Sequence, residues 1–327
     1  MDVNQGRYTI DRLLATYNVL LVIVWSTQLL RGPLAWVLLL AHLGGALLPA
    51  VLPAARRRAS GPAAAVLELY PLVLLFVFWS EFDLLRFALH EGSRDASVAA
   101  LDLAFFGQHL QASWMPAMPG IWISETMHFS YFAYYLLIVA PPLAMVLRGQ
   151  PAAVRDIMLR LMLAYLACYA IYVFYPVDGP SYMTIRHSGA HEQGLFYQLV
   201  HQTLAVGDSR GTAFPSSHVA GAISIAFIGW IHFSRPVAWL ITAEAVGVLL
   251  STVYTQNHYA IDSLAGILLA LPIQLMLLWN LRPRPDTWPL HLPPLPAAPA
   301  LANNVASRAR VGRDHALGLF QATENFR

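Results

Sequence analysis

The 327-residue sequence contains no lysine, a single cysteine, and charged residues at only 12% of its positions. A soluble domain carries about 25% charged residues, so a water-exposed globule of this length and charge poverty is excluded. The lone thiol of Cys168 cannot close an internal disulfide, which excludes a secreted scaffold stapled by cystines. What fills the sequence instead is 57% hydrophobic residues. The composition is that of a polytopic membrane protein.

A bilayer core about 30 Å thick needs roughly 20 apolar residues per helix. Eight segments meet that requirement: 13–30, 34–53, 63–80, 124–147, 154–175, 217–233, 237–254 and 259–280. Gly and Pro clusters separate them, among them Arg31-Gly32-Pro33, Gly61-Pro62, Gly149-Gln150-Pro151 and Arg235-Pro236. The expected fold is an all-α, polytopic integral membrane bundle of about eight transmembrane helices. An N-terminal hairpin (1–62) precedes a membrane core (63–280). The segment 281–327 is rich in proline and arginine and reads as a disordered cytoplasmic tail.

With eight spans both termini share one side of the membrane. Fifteen arginines fall on that side and five on the other. Basic residues favour cytoplasmic loops, so the termini are expected in the cytoplasm of a plasma or inner membrane. The net charge of +2 then reflects topology, and nucleic acid is not an expected partner.

The opposite face carries the chemistry-bearing residues. Two stretches there, 81–123 and 176–216, exceed the length of simple connectors. Within the first, 103–123 mixes Phe105, Phe106, Trp114, Met115, Met118 and Trp122 with prolines, as an interfacial anchor or a lid over a lipid would. Glu81 and Asp83 fall at the mouth of span three, where hydration satisfies them, and Glu68, Glu244 and His42 lie inside spans and call for interhelical hydrogen bonds.

Two segments stand out chemically. Arg210-Gly211-Thr212-Ala213-Phe214-Pro215-Ser216-Ser217-His218 opens span six, and Ser251 through Asp262 joins spans seven and eight. Spans six and seven run down and up, which returns His218 and His258 to one face. Pro-Ser-Ser at a helix start offers a cap and backbone N–H groups suited to a phosphate. His258 and Asp262, four apart, share a helical face, where a carboxylate can fix the imidazole tautomer. Two histidines beside an anion cradle point to nucleophilic phosphoryl transfer.

Pro215-Ser216-Ser217-His218 and Ser251…His258…Asp262 resemble the second and third signature motifs of the type 2 phosphatidic acid phosphatase superfamily. The flanking residues, with Ser124-Glu125 and Tyr131-Phe132-Ala133-Tyr134-Tyr135, look closest to its inositol phosphorylceramide synthase-like branch. The resemblance implies a six-helix lipid-phosphatase-like core over 63–280. It implies that His258 attacks phosphorus, that Asp262 orients it, and that His218 moves the leaving-group proton. Ser216 and Ser217 would bind the phosphate oxygens, with no cofactor and no metal required. The substrate would be a phosphorylated membrane lipid at the outer face, with water or an alcohol acceptor as the second reactant.

The sequence departs from those motifs where the family carries cations. Lysine is absent, and Thr252 stands at the arginine position of the third motif. Arg210 and Arg186 are the substitute phosphate-binding candidates, and Asp178, Glu125, His128, Tyr254 and Asn257 are candidates for lining a headgroup cavity. The leading expectation is a lipid phosphatase or phosphotransferase working through a phosphohistidine. A headgroup transferase of the inositol-phosphoryl type is the alternative. An anion or lipid transporter, or a non-catalytic lipid-binding relative, is the alternative of another class.

Overall fold

A computed structural model describes residues 3–280; the expected disordered tail lies outside the described residues. The described chain is all helix apart from its connections and one isolated bridge between Val177 and Thr212. In order the α-helices are α1 (Val3–Ser26), α2 (Pro33–Ala46), α3 (Leu48–Arg58), α4 (Gly61–Leu89), α5 (Asp95–Phe106), α6 (Leu110–Ala117) and α7 (Ile121–Leu147). They continue with α8 (Pro151–Phe174), α9 (Pro180–Met183), α10 (Leu195–Gly207), α11 (Ser217–His232), α12 (Arg235–Tyr254) and α13 (Ala260–Asn280).

Among the described residues, six helices are long and apolar enough to cross a membrane: α1, α4, α7, α8, α12 and α13. The second expected span is broken: α2 and α3 meet at 56°. The sixth, α11, has 16 residues and rises only about 24 Å. It begins deep in the bundle and need not traverse the full apolar thickness.

Several of the Gly-Pro clusters start helices. Pro33, Pro62, Pro151 and Pro236 occupy the first turns of α2, α4, α8 and α12, where the missing N–H is no loss. Gly107 and Gly149 take positive φ just after α5 and α7, a conformation open to glycine without a Cβ clash.

The centre of the bundle is α8, buried nearly all round, from Val154 to Val173. It packs against α1, α4, α7, α11 and α13. Such a helix needs no amphipathic pattern, because every face meets protein. The N-terminal helices are tied to one another and to α4 through one carboxylate: Arg56 of α3 holds Asp11 of α1 at 2.5 Å, and Tyr70 of α4 donates to the same group.

The intramembrane carboxylates find partners on other helices. Glu68 pairs with Arg155 of α8 at 3.0 Å. Glu81 is not hydrated as its place at a span mouth implies. It is buried and bonded to His42 of α2 and to the Trp25 indole of α1, because α4 continues to Leu89 and carries Glu81 well inside the helix. Buried charge is tolerated here because it is paired.

The segment expected at the interface, 103–123, comprises the end of α5, all of α6 and the start of α7. Val98 and Met115 are buried while Phe105 and Trp122 stay exposed. Met118 accepts a hydrogen bond from the Tyr254 hydroxyl, so this segment is bound to the end of α12. Asp95 accepts the backbone N–H groups of Asp178 and Gly179, and Asp102 accepts that of Ile261. Helix α5 thereby buttresses the start of α13.

Candidate active site

The site forms where α11 and α13 begin side by side. Ser216 caps α11, its Oγ accepting from Val219 N at 3.4 Å, and its own N–H donates to the Asp262 carbonyl at 2.9 Å. The two helix starts approach so closely that a Cβ at Gly266 of α13 would stand 2.6 Å from the Ser216 carbonyl oxygen.

His258 sits just before α13 in a folded-back turn. Its N–H and that of Asn257 both donate to the Thr252 carbonyl, and Gln256 takes φ +57°. The imidazole is fixed on both sides. Nδ1 lies 3.0 Å from the Ala213 carbonyl and 3.4 Å from Asp262 Oδ2, while Nε2 lies 3.2 Å from Ser216 Oγ. Two acceptors at Nδ1 place the proton there and leave the Nε2 lone pair toward Ser216 and the pocket. Asp262 shares the orienting role with a backbone carbonyl, which no residue spacing discloses. Its Oδ2 also accepts Tyr259 N–H at 2.8 Å.

His218 faces His258 with ring centroids 5.6 Å apart. Its ring stacks on Tyr131 at 4.9 Å and packs against Tyr134 at 4.6 Å. Helix α7 therefore supplies the walls that aim this histidine, a role beyond the packing and lipid contact that its aromatic run announces. Two of the N–H groups expected to be free for an anion are engaged: Ser217 N donates to the Tyr172 hydroxyl, and Val219 N to Ser216.

Two cavities meet at His218. The smaller, about 280 Å³ including its open mouth, is polar and is lined by Asp178, Ser181, Asp208, Thr212, Asn257 and His258 among others. The larger, about 840 Å³ including its open mouth, is apolar and runs between α4 and α7 along Leu72, Leu75, Phe76, Tyr134, Ile138 and Tyr169. Trp79, Asp208 and His218 line both. Leu72 to Trp79 covers about 10 Å of helix rise, so the apolar cavity extends that far along α4 from the junction.

Of the other expected residues, Asn257 and Asp178 line the polar cavity, but Asp178 is held by Arg86 of α4 at 3.0 Å in a buried pair. Tyr254, Glu125 and His128 line neither cavity. Tyr254 ties to Met118, and Glu125 accepts the Phe196 and Tyr197 N–H groups at the start of α10, both at 3.1 Å. His128 is buried against Tyr197 and His201. Thr252, at the lost arginine position, bonds to Ser263 and joins α12 to α13.

Arg210 is exposed, its backbone N–H bound to Asp83 and its guanidinium over the rings of Phe87 and Tyr182. Arg186 lies against the turn that carries His258 and donates to the Thr255 carbonyl at 3.1 Å, Asn257 Oδ1 at 2.9 Å and His201 Nε2 at 3.2 Å. Burial, and then the neighbouring Arg186 charge, push the His201 imidazole down to about 4. Burial holds Asp208 above the usual carboxylate range, against the pull of its bonds from Tyr182 and Ser209.

Sequence reasoning missed Arg86, Trp79 and Asp208. Arg86 carries a signal in being the only cation of its apolar helix's outer half; Asp208 is one of several acidic residues on the face that bears the histidines, and Trp79 carries no signal. Among the described residues, no cluster of three or more His, Cys, Asp or Glu side chains has metal-binding geometry.

The bundle and this site define a helical membrane protein with a histidine pair, a serine-capped helix start and an apolar cavity at one locus. A sequence model of the PAP2 superfamily matches residues 96–276, more than half the chain and all of the paired-histidine region. The chain belongs to that superfamily, whose members are generally phosphatases and phosphotransferases. No curated protein and no solved structure matches the chain.

Proposed function

We propose that this protein is a membrane lipid phosphatase or phosphotransferase that works through a phosphohistidine at His258. The observation that carries the reading is the junction at His218 of a polar pocket holding His258 with an apolar cavity between α4 and α7. A molecule with a phosphate at one end and a hydrocarbon tail at the other fills both. The inositol phosphorylceramide synthase-like branch is part of this proposal and rests on the motif flanks alone.

In the first step His258 Nε2 attacks phosphorus, and the bond to the leaving oxygen breaks as the N–P bond forms. Nδ1–H, held by Ala213 and Asp262, carries the charge that the imidazole gains. His218 donates its proton to the leaving oxygen. In the second step water or an alcohol attacks phosphorus, its proton passes to His218, and the N–P bond breaks. Ser216 Oγ, 3.2 Å from Nε2, is placed to donate to a non-bridging oxygen. These steps need no metal.

Three arginines border the site, and Arg186 is the one with charge to spare for the phosphate. Arg86 is neutralised by Asp178, and Arg210 is exposed over aromatic rings. The acceptors around Arg186 are all uncharged. The arginine bias of fifteen to five supports a site on the outer face with both termini in the cytoplasm.

Transfer to an alcohol is the second reading, supported by Asp208, a carboxylate at the junction of the two cavities whose oxygens can accept an alcohol's hydroxyl. Detergent-purified protein incubated with a panel of lipid phosphates, with and without alcohol acceptors, tests both. His258→Ala is expected to lower turnover by about 10³-fold or more and to abolish acid-labile phosphate labelling of the protein. Full activity in that variant would sink the assignment. A new lipid that forms only with acceptor establishes the transferase.

A further inference from the structure

We propose that His201 is a positioning residue for Arg186, and that a cage of uncharged acceptors around this arginine reserves its charge for the substrate's phosphate. The inference rests on the reading of Arg186 as the phosphate-binding cation. A guanidinium beside a catalytic pocket is ordinarily claimed by the nearest carboxylate, as Asp178 claims Arg86. A claimed arginine has little attraction left for a second anion.

Around Arg186 the acceptors are a backbone carbonyl (Thr255), an amide oxygen (Asn257) and a ring nitrogen (His201). Each orients the guanidinium and none cancels its charge. Those bonds use three N–H groups of the five that an arginine carries, so two more remain for an oxyanion. Asn257 is itself part of the polar pocket's wall, which puts the guanidinium one side chain behind the pocket.

The His201 ring is held so that only its edge can meet the arginine. Tyr197 stacks on it at 3.9 Å with 23° between planes, and His128 stands 5.7 Å away. Accepting at Nε2 leaves the proton on Nδ1. A protonated ring would repel the guanidinium, and burial opposes that protonation. Helix α10, which carries both Tyr197 and His201, is anchored at its start by Glu125. The chain beyond the arginine is pinned too, since His187 N–H donates to Gln256 Oε1 at 2.9 Å. Arg186 is thus suspended between α10 and the turn that bears the nucleophile.

The test uses full-length protein in detergent and inorganic orthovanadate, a phosphoryl-transfer mimic, with affinity read from ligand-dependent thermal stabilisation. His201→Gln keeps an uncharged acceptor and is expected to bind within about twofold of wild type. His201→Glu, nearly the same size as Gln, supplies a carboxylate and is expected to bind about tenfold or more weakly, as Arg186→Gln does. The double variant H201E/R186Q is expected to lose no more than either alone. A purely structural His201 would not separate Gln from Glu.

Wild-type affinity in His201→Glu beside a weakened Arg186→Gln overturns the positioning inference alone, as does a His201→Gln as weak as His201→Glu. Wild-type affinity in Arg186→Gln, or no vanadate binding by the wild type, overturns the phosphate-clamp reading beneath it. If His201→Glu does not fold, His201→Leu takes its place; it removes the acceptor and is expected to bind several-fold more weakly. Unchanged affinity there also overturns the inference.

Discussion

At the scale of single residues, the site is organised by how each charge is matched. Arg86 and Asp178 are both buried, bonded through Nε and Nη2 to the two carboxylate oxygens. Fork-to-fork pairing satisfies both groups and holds the polar cavity's wall against α4. Removing one partner leaves the other charged and dry, at a cost of about 3–5 kcal/mol. Arg86→Met is therefore expected to lower the thermal midpoint in detergent sharply. Adding Asp178→Leu to it should recover most of the loss, since an apolar pair of similar volume needs no solvation. A double variant as unstable as the single one would mean that Asp178 is held by its neighbours and not by Arg86.

At the scale of elements, the geometry of the histidine pair depends on how closely α13 lies against the start of α11. Gly266 makes that approach possible, with the Ser216 carbonyl where a Cβ would project. Backbone cannot rotate aside as a side chain can, so Gly266→Ala must push the helices apart by a few tenths of an ångström or more. Because Asp262 rides on α13, His258 precedes it directly and Ser216 caps α11, turnover is expected to fall about tenfold or more, with the midpoint shifted far less. Equal activity with a large midpoint loss would place the role of Gly266 in stability alone.

The elements also show what was legible in the sequence. The long spans, their proline starts and the facing of His218 and His258 could be read directly, because apolar run length, N1 prolines and helix counting are local signals. The aspartate four residues after His258 was legible for the same reason. Arg86–Asp178, Glu68–Arg155 and Glu81–His42 were not, since their partners lie 92, 87 and 39 positions apart and leave no periodic trace. Helix α10 was missed because the loop that contains it is polar at both ends. Its position comes from Glu125, which accepts its first N–H groups instead of lining a cavity. The second acceptor at His258 Nδ1 is a backbone carbonyl, which sequence never displays.

At the scale of the whole molecule, the helices outside the family match are fastened to the site's scaffold by polar contacts inside the apolar layer. His42 bridges Asn18 and Glu81, and the Trp25 indole donates to Glu81. These groups join α1, α2 and α4, the last of which walls the apolar cavity. His42→Leu leaves Glu81 short of a partner and is expected to cost about 1–3 kcal/mol, seen as a lower heat-denaturation midpoint. Activity at low temperature should persist, because His42 lies outside both cavities. An unchanged midpoint would show that apolar packing alone holds these helices together.

Cys168 lies fully enclosed in α8, the helix surrounded by its neighbours. The native fold thus hides its one thiol from water-borne reagents. A cysteine introduced into any connecting loop would stand alone as the reactive group, with no native residue to be replaced first. Maleimide reaction from one side of a sealed vesicle would then report that loop's membrane side against a silent background.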